Sequence, residues 1–347
     1  MKKFIFSILV LIFFISSCTQ EKIQYTGINI PLKKELKGSV LNTTFIFSSP
    51  QEMIIVDSLL IVHDSYNRDT CFHIFNKING KHIGSFGNKG RGPGEVIFPS
   101  SLNYNPKTKT LTTYEANLRK IIKYNIPDVL AQNTTSFSEI KLNSIPFFVL
   151  QAIPFNDAFI IRGNAQVRFA ITDTNNKISH QFDNYPKLVI DKEENRAIFN
   201  YAPQCVLRPD GSKLATITYI GGVLEIFDVK NNAITSNTIK YFNEPIYKSV
   251  EGFKPKWIGT TPLTVVGCDN IYATNENIYC IYEGELTKDN EPEPKKILVF
   301  NWDGTPQLQY EIHEGLPNGI AVDEDNLYCI VMNKDYEYQL YKYDYKN

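Results

Sequence analysis

The chain has 347 residues, of which 43% are hydrophobic and 21% charged, and its formal charge is −1. That composition can bury a large core, which excludes global disorder, and the near-neutral balance gives no general attraction to nucleic acid or to an anionic membrane surface. Twenty Tyr and 22 Phe against 3 Met is a strand-forming balance.

The first element is a targeting segment. Lys2 and Lys3 form a basic start, Phe4 to Ile15 is an almost unbroken apolar run, and Ile15-Ser16-Ser17-Cys18 closes it with small residues before a cysteine. The apolar run is too short to span a membrane comfortably and reads as a secretory signal over residues 1–17. The four closing residues resemble the lipobox of bacterial lipoproteins, which implies cleavage before Cys18 and lipidation of Cys18. No Asp follows the cysteine, and the outer membrane is the expected location, on its periplasmic or its outward side. Five cysteines remain (Cys71, Cys205, Cys268, Cys280 and Cys329), at spacings that match no metal motif. Their odd number leaves at least one unpaired, and Cys280 and Cys329, mid-strand among apolar residues, read as small buried hydrophobes.

Residues 18–38 read as a polar tether running into a first strand, and from residue 39 to the end one unit recurs. Each copy is two or three short apolar strands separated by polar turns: 57–64 with 72–75 and 82–86, 109–116 with 119–125, 157–163 with 169–172, 209–217 with 223–229, 275–282 with 297–304, and 323–331 with 338–345. The turns before the second strands, at Asp57, Lys107, Asn156, Asp210, Glu276 and Glu324, lie 48 to 66 residues apart. Six such units predict an all-β, six-bladed β-propeller with four-stranded antiparallel blades. One blade exposes two apolar faces, and only stacking within a ring covers both. The sixth unit ends three strands in, so a segment near Ile23–Leu32 or Val40–Phe47 is expected to supply its fourth strand. No amphipathic period persists beyond about two turns, so helices are expected to be minor.

The motif IGSFGNKGRGPGEVIFP, residues 83–99, ends one strand and enters the next through five glycines and Pro93. This is a built turn between two blades, since glycine supplies positive φ and proline fixes its own. Together with GLPNGIAVDEDNLYCI it is similar to the NHL-type propeller repeat. With the lipobox it resembles the six-bladed β-propeller lipoproteins of Bacteroidetes, a TolB-like group; the resemblance implies fold and location and no reaction.

In a propeller whose strands run a-b-c-d outward from the axis, the b–c and d–a connections share one face. The longest irregular stretches fall there, and long loops on a rigid frame are where binding residues gather. Tyr66, Arg68, Arg91, Glu95, Arg119, Arg162, Arg168 and Trp257 are the candidate ligand-binding residues: arginines suit carboxylate or phosphate groups, and aromatics beside them suit a peptide or sugar. Within the glycine-rich turn, Glu95 is expected to cap backbone N–H groups and Arg91 to tie adjacent blades. The function this supports is a lipid-anchored, non-catalytic binding or scaffold protein of the cell envelope, recognising a protein, peptide or glycan and no nucleic acid. Neither HExxH nor GxSxG occurs among the 347 residues, and no catalytic residue, metal ligand or cofactor is assigned. The alternative is a calcium-dependent propeller hydrolase resembling lactonases and esterases, which would assemble a calcium site from residues such as Asp64, Glu115, Asn164 and Asn275.

Overall fold

The computed structural model describes residues 23–42, 44–133, 136–164, 167–186, 188, 192–200, 205–252, 256–287 and 295–346. The signal segment and Cys18 lie outside the described residues. Six sheets stand around one axis. Blade 1 is Pro50–Val56, Leu59–Asp64, Thr70–Asn76 and His82–Asn88. Blade 2 is Pro99–Asn105, Thr110–Glu115, Lys120–Asn125 and Phe137–Lys141. Blade 3 is Val149–Phe155, Ala158–Gly163, Phe169–Thr172 and Ile178–Phe182, and blade 4 is Cys205–Leu207, Lys213–Ile217, Val223–Lys230 and Ala233–Tyr241. Blade 5 is Cys268–Ala273, Asn277–Tyr282, Lys296–Asn301 and Pro306–Ile312. Blade 6 takes Leu316–Val322, Asn326–Met332 and Tyr338–Asp344 from the C-terminal end of the chain.

Local chemistry makes the hairpins. Asp57, Lys109 and Asn156 adopt positive φ at the a–b turns. Asn76, Asn105, Asp210, Asn301, Asp323 and Asn333 each turn a side-chain oxygen onto backbone N–H groups two to four residues ahead. Short Asx side chains do this at little conformational cost, which is why the turns sit where the polar residues do.

The middle strands are buried on both faces. Leu59–Asp64 is buried along its whole length, and the third strand of blade 1 is half-buried only at its two ends. Such strands read as continuous apolar runs, because each blade face meets a neighbouring blade. A closed ring of six blades needs six interfaces, and six apolar cores fill them. One joins blades 1 and 2 around Phe72, Phe86 and Tyr124, and others join 2 and 3, 3 and 4, 4 and 5, and 5 and 6. The last, around Phe47, Phe75, Tyr328 and Leu340, joins blade 6 back to blade 1.

The N-terminal segment closes the ring. Gly38–Asn42 pairs antiparallel with the third strand of blade 6, Gly38 opposite Tyr343 and Val40 opposite Tyr341, and so becomes its fourth strand. Gly38 is required there: a Cβ would come within 2.5 Å of the Tyr343 ring. Of the two segments expected to supply this strand, the one around Val40 does so. The earlier segment runs as a strap along the outside of blades 4 and 5. Thr26 and Gly27 donate to Tyr241 O and Phe242 O at 3.1 and 2.9 Å, Gln309 donates to Leu32 O at 2.9 Å, and Lys33–Leu36 adds to blade 5 as a parallel fifth strand.

One sequence expectation is corrected. Cys268 and Cys280 form a disulfide between the first two strands of blade 5, a bulge at Asp269 having brought their Cα atoms to 6.0 Å. Cys71, Cys205 and Cys329 are buried thiols, as the apolar neighbours of Cys329 predict for that residue.

Removing the strap and closing strand leaves blade 6 with an open edge and exposes the core it shares with blade 1. A chain beginning at residue 24 is expected to unfold cooperatively in urea, followed by circular dichroism. One beginning at residue 44 is expected to lose that single transition.

Blade 1, which forms one side of this closure, is also sensitive to acid. Burial drives His63 down to about 3 and His73 to about 4, and it lowers His82 as well. Their folded values lie below the unfolded value near 6.5, so the stability they contribute is complete above that pH and is lost as pH falls toward 4. Each histidine kept neutral costs up to about 1.4 kcal/mol per pH unit in that window. Urea titrations of the wild type between pH 6.5 and 4.5 are expected to show falling stability, with a shallower slope for His63→Phe.

Candidate functional site

Antiparallel connectivity puts the b–c and d–a connections on one face and the a–b and c–d hairpins on the other. All eight candidate residues therefore come from the loop-rich face, but the structure uses them in two different ways.

Three arginines serve the frame. Arg168 is 3% exposed and grips Glu225 of blade 4 with two parallel bonds, Nη1 to Oε1 at 3.1 Å and Nη2 to Oε2 at 2.6 Å. It also donates to Asn184 O at 2.8 Å, with Tyr185 and Phe199 at 4.9 and 5.1 Å from its guanidinium carbon. Arg162 is buried near Cys205 and Arg168, and burial lowers its pKa. Arg119, at positive φ, turns Nη2 onto the carbonyls of Leu142, Ile145 and Phe147, fastening the blade 2 turn to the next connection. The expectation that these arginines face a ligand is corrected: two are enclosed, and the third is bound to backbone carbonyls.

The glycine-rich turn is a connector. Glu95 Oε2 accepts from Gly92 N at 2.7 Å, the capping its position predicts. A Cβ on Gly90 would land 1.9 Å from that carboxylate oxygen, and one on Gly94, at φ 71°, would strike the Phe137 ring at 2.6 Å. Blade 2 holds the turn from the other side. Lys120 donates to Gly92 O at 3.2 Å and pairs with Glu139 at 2.6 Å, Glu139 accepts from Gly94 N at 2.7 Å, and Tyr124 donates to Gly94 O at 2.9 Å. Arg91 is exposed and ties no blades; Lys120, Tyr124 and Glu139 do so instead.

The residues proposed for calcium do not all lie on one face. Asp64 accepts from Ser48 N and Ser49 N at 2.8 and 2.6 Å. Glu115, at the equivalent place in blade 2, accepts from Ile97 N and Phe98 N, both at 2.7 Å. Each carboxylate closes one d–a connection onto its blade. Asn164 lies on this face, but Asn275 belongs to an a–b turn on the opposite one.

A small cap sits over blades 3 to 5. The helix Lys192–Asn200 packs Ala197, Ile198 and Phe199 against Ile258 of a hairpin, Lys248–Val250 with Trp257–Gly259. Glu194 locks helix to hairpin, accepting from Tyr247 Oη and Ser249 Oγ at 2.7 Å and pairing with Lys256 at 2.8 Å. Those partners, Lys256 first, hold its carboxyl down at about 2.

Among the exposed residues of this face is a set of large apolar and aromatic side chains. Ile46, Tyr66, Phe98, Phe148, Ile246, Trp257, Leu263 and Tyr336 are large side chains at least one-third exposed, and all lie in b–c or d–a connections. Among the described residues the hairpin turns and connections of the other face carry only two such side chains, Ile78 and Leu130. Arg68 and Arg91 stand exposed beside this patch. Sequence reasoning found Tyr66 and Trp257 but missed Phe98, Phe148 and Leu263. Leu263 stands between Pro262 and Thr264 with no strand period around it, whereas Phe98 and Phe148 sit inside apolar runs beside buried neighbours, which hides them in the sequence.

A cavity of about 620 Å³ lies on the axis, lined by the first strands of all six blades. It reaches Asn105, Lys107, Asn156 and Pro209, so it opens between the a–b hairpins, away from the loop-rich face.

Residues 30–325 match the family model described as a TolB-like 6-blade propeller. The chain belongs to this TolB-like family of six-bladed propellers. It is similar to the crystal structure of a protein of Bacteroides fragilis named as an exported protein, with a TM-score of 0.55 and 13% identity over 90% of this chain and 98% of that one. Hydrazine synthase of Kuenenia stuttgartiensis follows at TM-score 0.47 and 13% identity, covering 85% of this chain and 78% of that one. A search of the curated proteins finds no match.

Arg168 is expected to act as a structural clamp. Arg168→Ala should cost about 3–5 kcal/mol in urea unfolding, because it strands Glu225 as a buried unpaired charge, whereas Arg168→Met with Glu225→Leu should lose far less.

Proposed function

We propose that the protein is a non-catalytic binding module of the cell envelope, held by lipid on Cys18, that docks a protein partner on its loop-rich face. The observation that carries this reading is the gathering of exposed large apolar side chains on that face. Aromatic anchors such as Tyr66, Trp257 and Tyr336, with Arg68 and Arg91 beside them, are the residue types that dominate protein interfaces. A closed ring is a stiff frame, so such a surface loses little conformational entropy on binding. The fold likeness to a protein named as exported accords with the signal sequence.

The tether supports the same orientation. Ile23 packs against the cap on the loop-rich side, in the cluster containing Ile258. The five residues from Cys18 to Ile23 can span at most about 18 Å, so a lipid on Cys18 keeps this face near the membrane, where an envelope partner would meet it.

Photo-crosslinkers placed at positions 66 and 257 in cells are expected to trap one discrete protein, and crosslinkers at 78 and 130 are expected to trap none. Tyr66→Ser with Trp257→Ser should abolish trapping from a crosslinker at position 98 without moving the thermal midpoint. Equal trapping from both faces would overturn the assignment of the face, and soluble Cys18→Ala protein would confirm the anchor.

A further inference from the structure

The cavity on the axis is separate from the proposed docking face, and its walls have a chemistry of their own. Its floor lies where the first strands carry bulges, between Pro50 and Glu52, Ser100 and Leu102, Val149 and Gln151, and Cys268 and Asn270. A bulge re-aims one side chain per strand, and here those side chains stitch the floor. Glu52 Oε1 accepts from Leu102 N at 2.9 Å, Gln151 exchanges two bonds of 2.9 Å with the backbone of Cys205, and Asn270 Nδ2 donates to Gln51 O at 3.1 Å. Among the described residues these bonds cross the end of the cavity toward the loop-rich face, and its wall runs out to the a–b hairpins.

Above the floor the wall alternates half-buried aliphatic groups, Ile54 and Leu207, with the Asn103 amide. The Asn103 amide nitrogen has no hydrogen-bond partner among the described residues. That nitrogen is buried without a partner, and it reaches an acceptor in the bore when the amide turns. Charge opposes ions of either sign. An anion at the floor meets Glu52, and a cation at the lip must pass Lys107 and Arg208. Arg208 is itself occupied, donating to Asn275 O at 2.8 Å and lying 3.4 Å from Asp210.

From this we propose that the axial cavity binds a small uncharged hydroxylated ligand of the saccharide class, one or two rings in size. Hydroxyl groups can donate to Glu52 and to the Asn270 carbonyl and accept from Asn103, while ring C–H faces lie on Ile54 and Leu207. The volume falls within the range of small-molecule sites, about 300–1,000 Å³. The site does not depend on the docking of a protein partner, because its mouth opens on the other face.

Calorimetric titration of the full mature chain with maltose, cellobiose and N,N′-diacetylchitobiose tests it, with citrate and spermidine as charged controls. At least one disaccharide is expected to bind at millimolar concentration or below, and neither control should bind. Asn103→Leu should weaken binding by about tenfold or more, the loss expected when one hydrogen bond to a buried group goes unmade. Leu207→Trp, which narrows the bore, should abolish it, with circular dichroism and the thermal midpoint confirming the fold of both variants. Trp257→Ser should leave it unchanged. The proposal is overturned if no disaccharide binds, if citrate or spermidine binds as well as the sugars, or if binding persists in folded Leu207→Trp.

Discussion

Everything in this molecule rests on closing the seam between blade 6 and blade 1. Five of the six inter-blade cores lie between blades that follow one another in the chain, so forming them costs a short loop each. The sixth, around Phe47, Phe75, Tyr328 and Leu340, joins segments nearly three hundred residues apart. Its formation must offset the entropy of closing a very long loop, a cost that grows only logarithmically with length. Gly38–Asn42 adds a row of backbone bonds to that apolar contact, and Asp64 fixes the link that follows through Ser48 N and Ser49 N. Apolar burial and backbone pairing act at the same seam, so neither is asked to close the ring alone.

The strap extends that logic across the outer edges. Outer strands of a propeller present unpaired backbone groups to solvent and invite pairing with other chains. The strap covers part of blades 4 and 5 before reaching blade 6. It also fixes where the chain leaves the body, beside the cap. The segment that closes the fold thus also sets where the chain enters the body, and ring closure and point of entry share one stretch of about twenty residues.

How far the sequence is legible follows from the range of the forces involved. The hairpins are local: an Asx side chain reaches two to four residues ahead at Asn76, Asn105 and Asp210, and Asp57 and Asn156 take positive φ, so these residues mark their turns in the sequence itself. The blade count is legible for the same reason, because burial on both faces of Leu59–Asp64 or Asn277–Tyr282 leaves an unbroken apolar run. The fate of the arginines is not local. Arg162 and Arg168 look like loop cations in the sequence, and only the approach of blade 4 shows that Glu225 claims one and burial encloses both. The disulfide was hidden likewise, since the bulge at Asp269 decides whether Cys268 meets Cys280.

A charged residue in a long propeller loop is therefore poor evidence of a ligand in this fold. Each blade must be fastened to the next across a d–a connection that carries many backbone N–H and C=O groups and little sheet to pair them. A buried, unpaired peptide group costs about 1–3 kcal/mol, so side chains with several donors or acceptors gather there: Asp64 and Glu115 as acceptors, Arg119 and Lys89 as donors. These residues would be the same whether or not anything bound. Exposed Tyr66, Phe98 and Trp257 are different, because the fold obtains nothing from leaving a large apolar surface in water. Their place on one face is better evidence of recognition than any charge pattern, and it is also the feature that the polarity of the surrounding loops hides in the sequence.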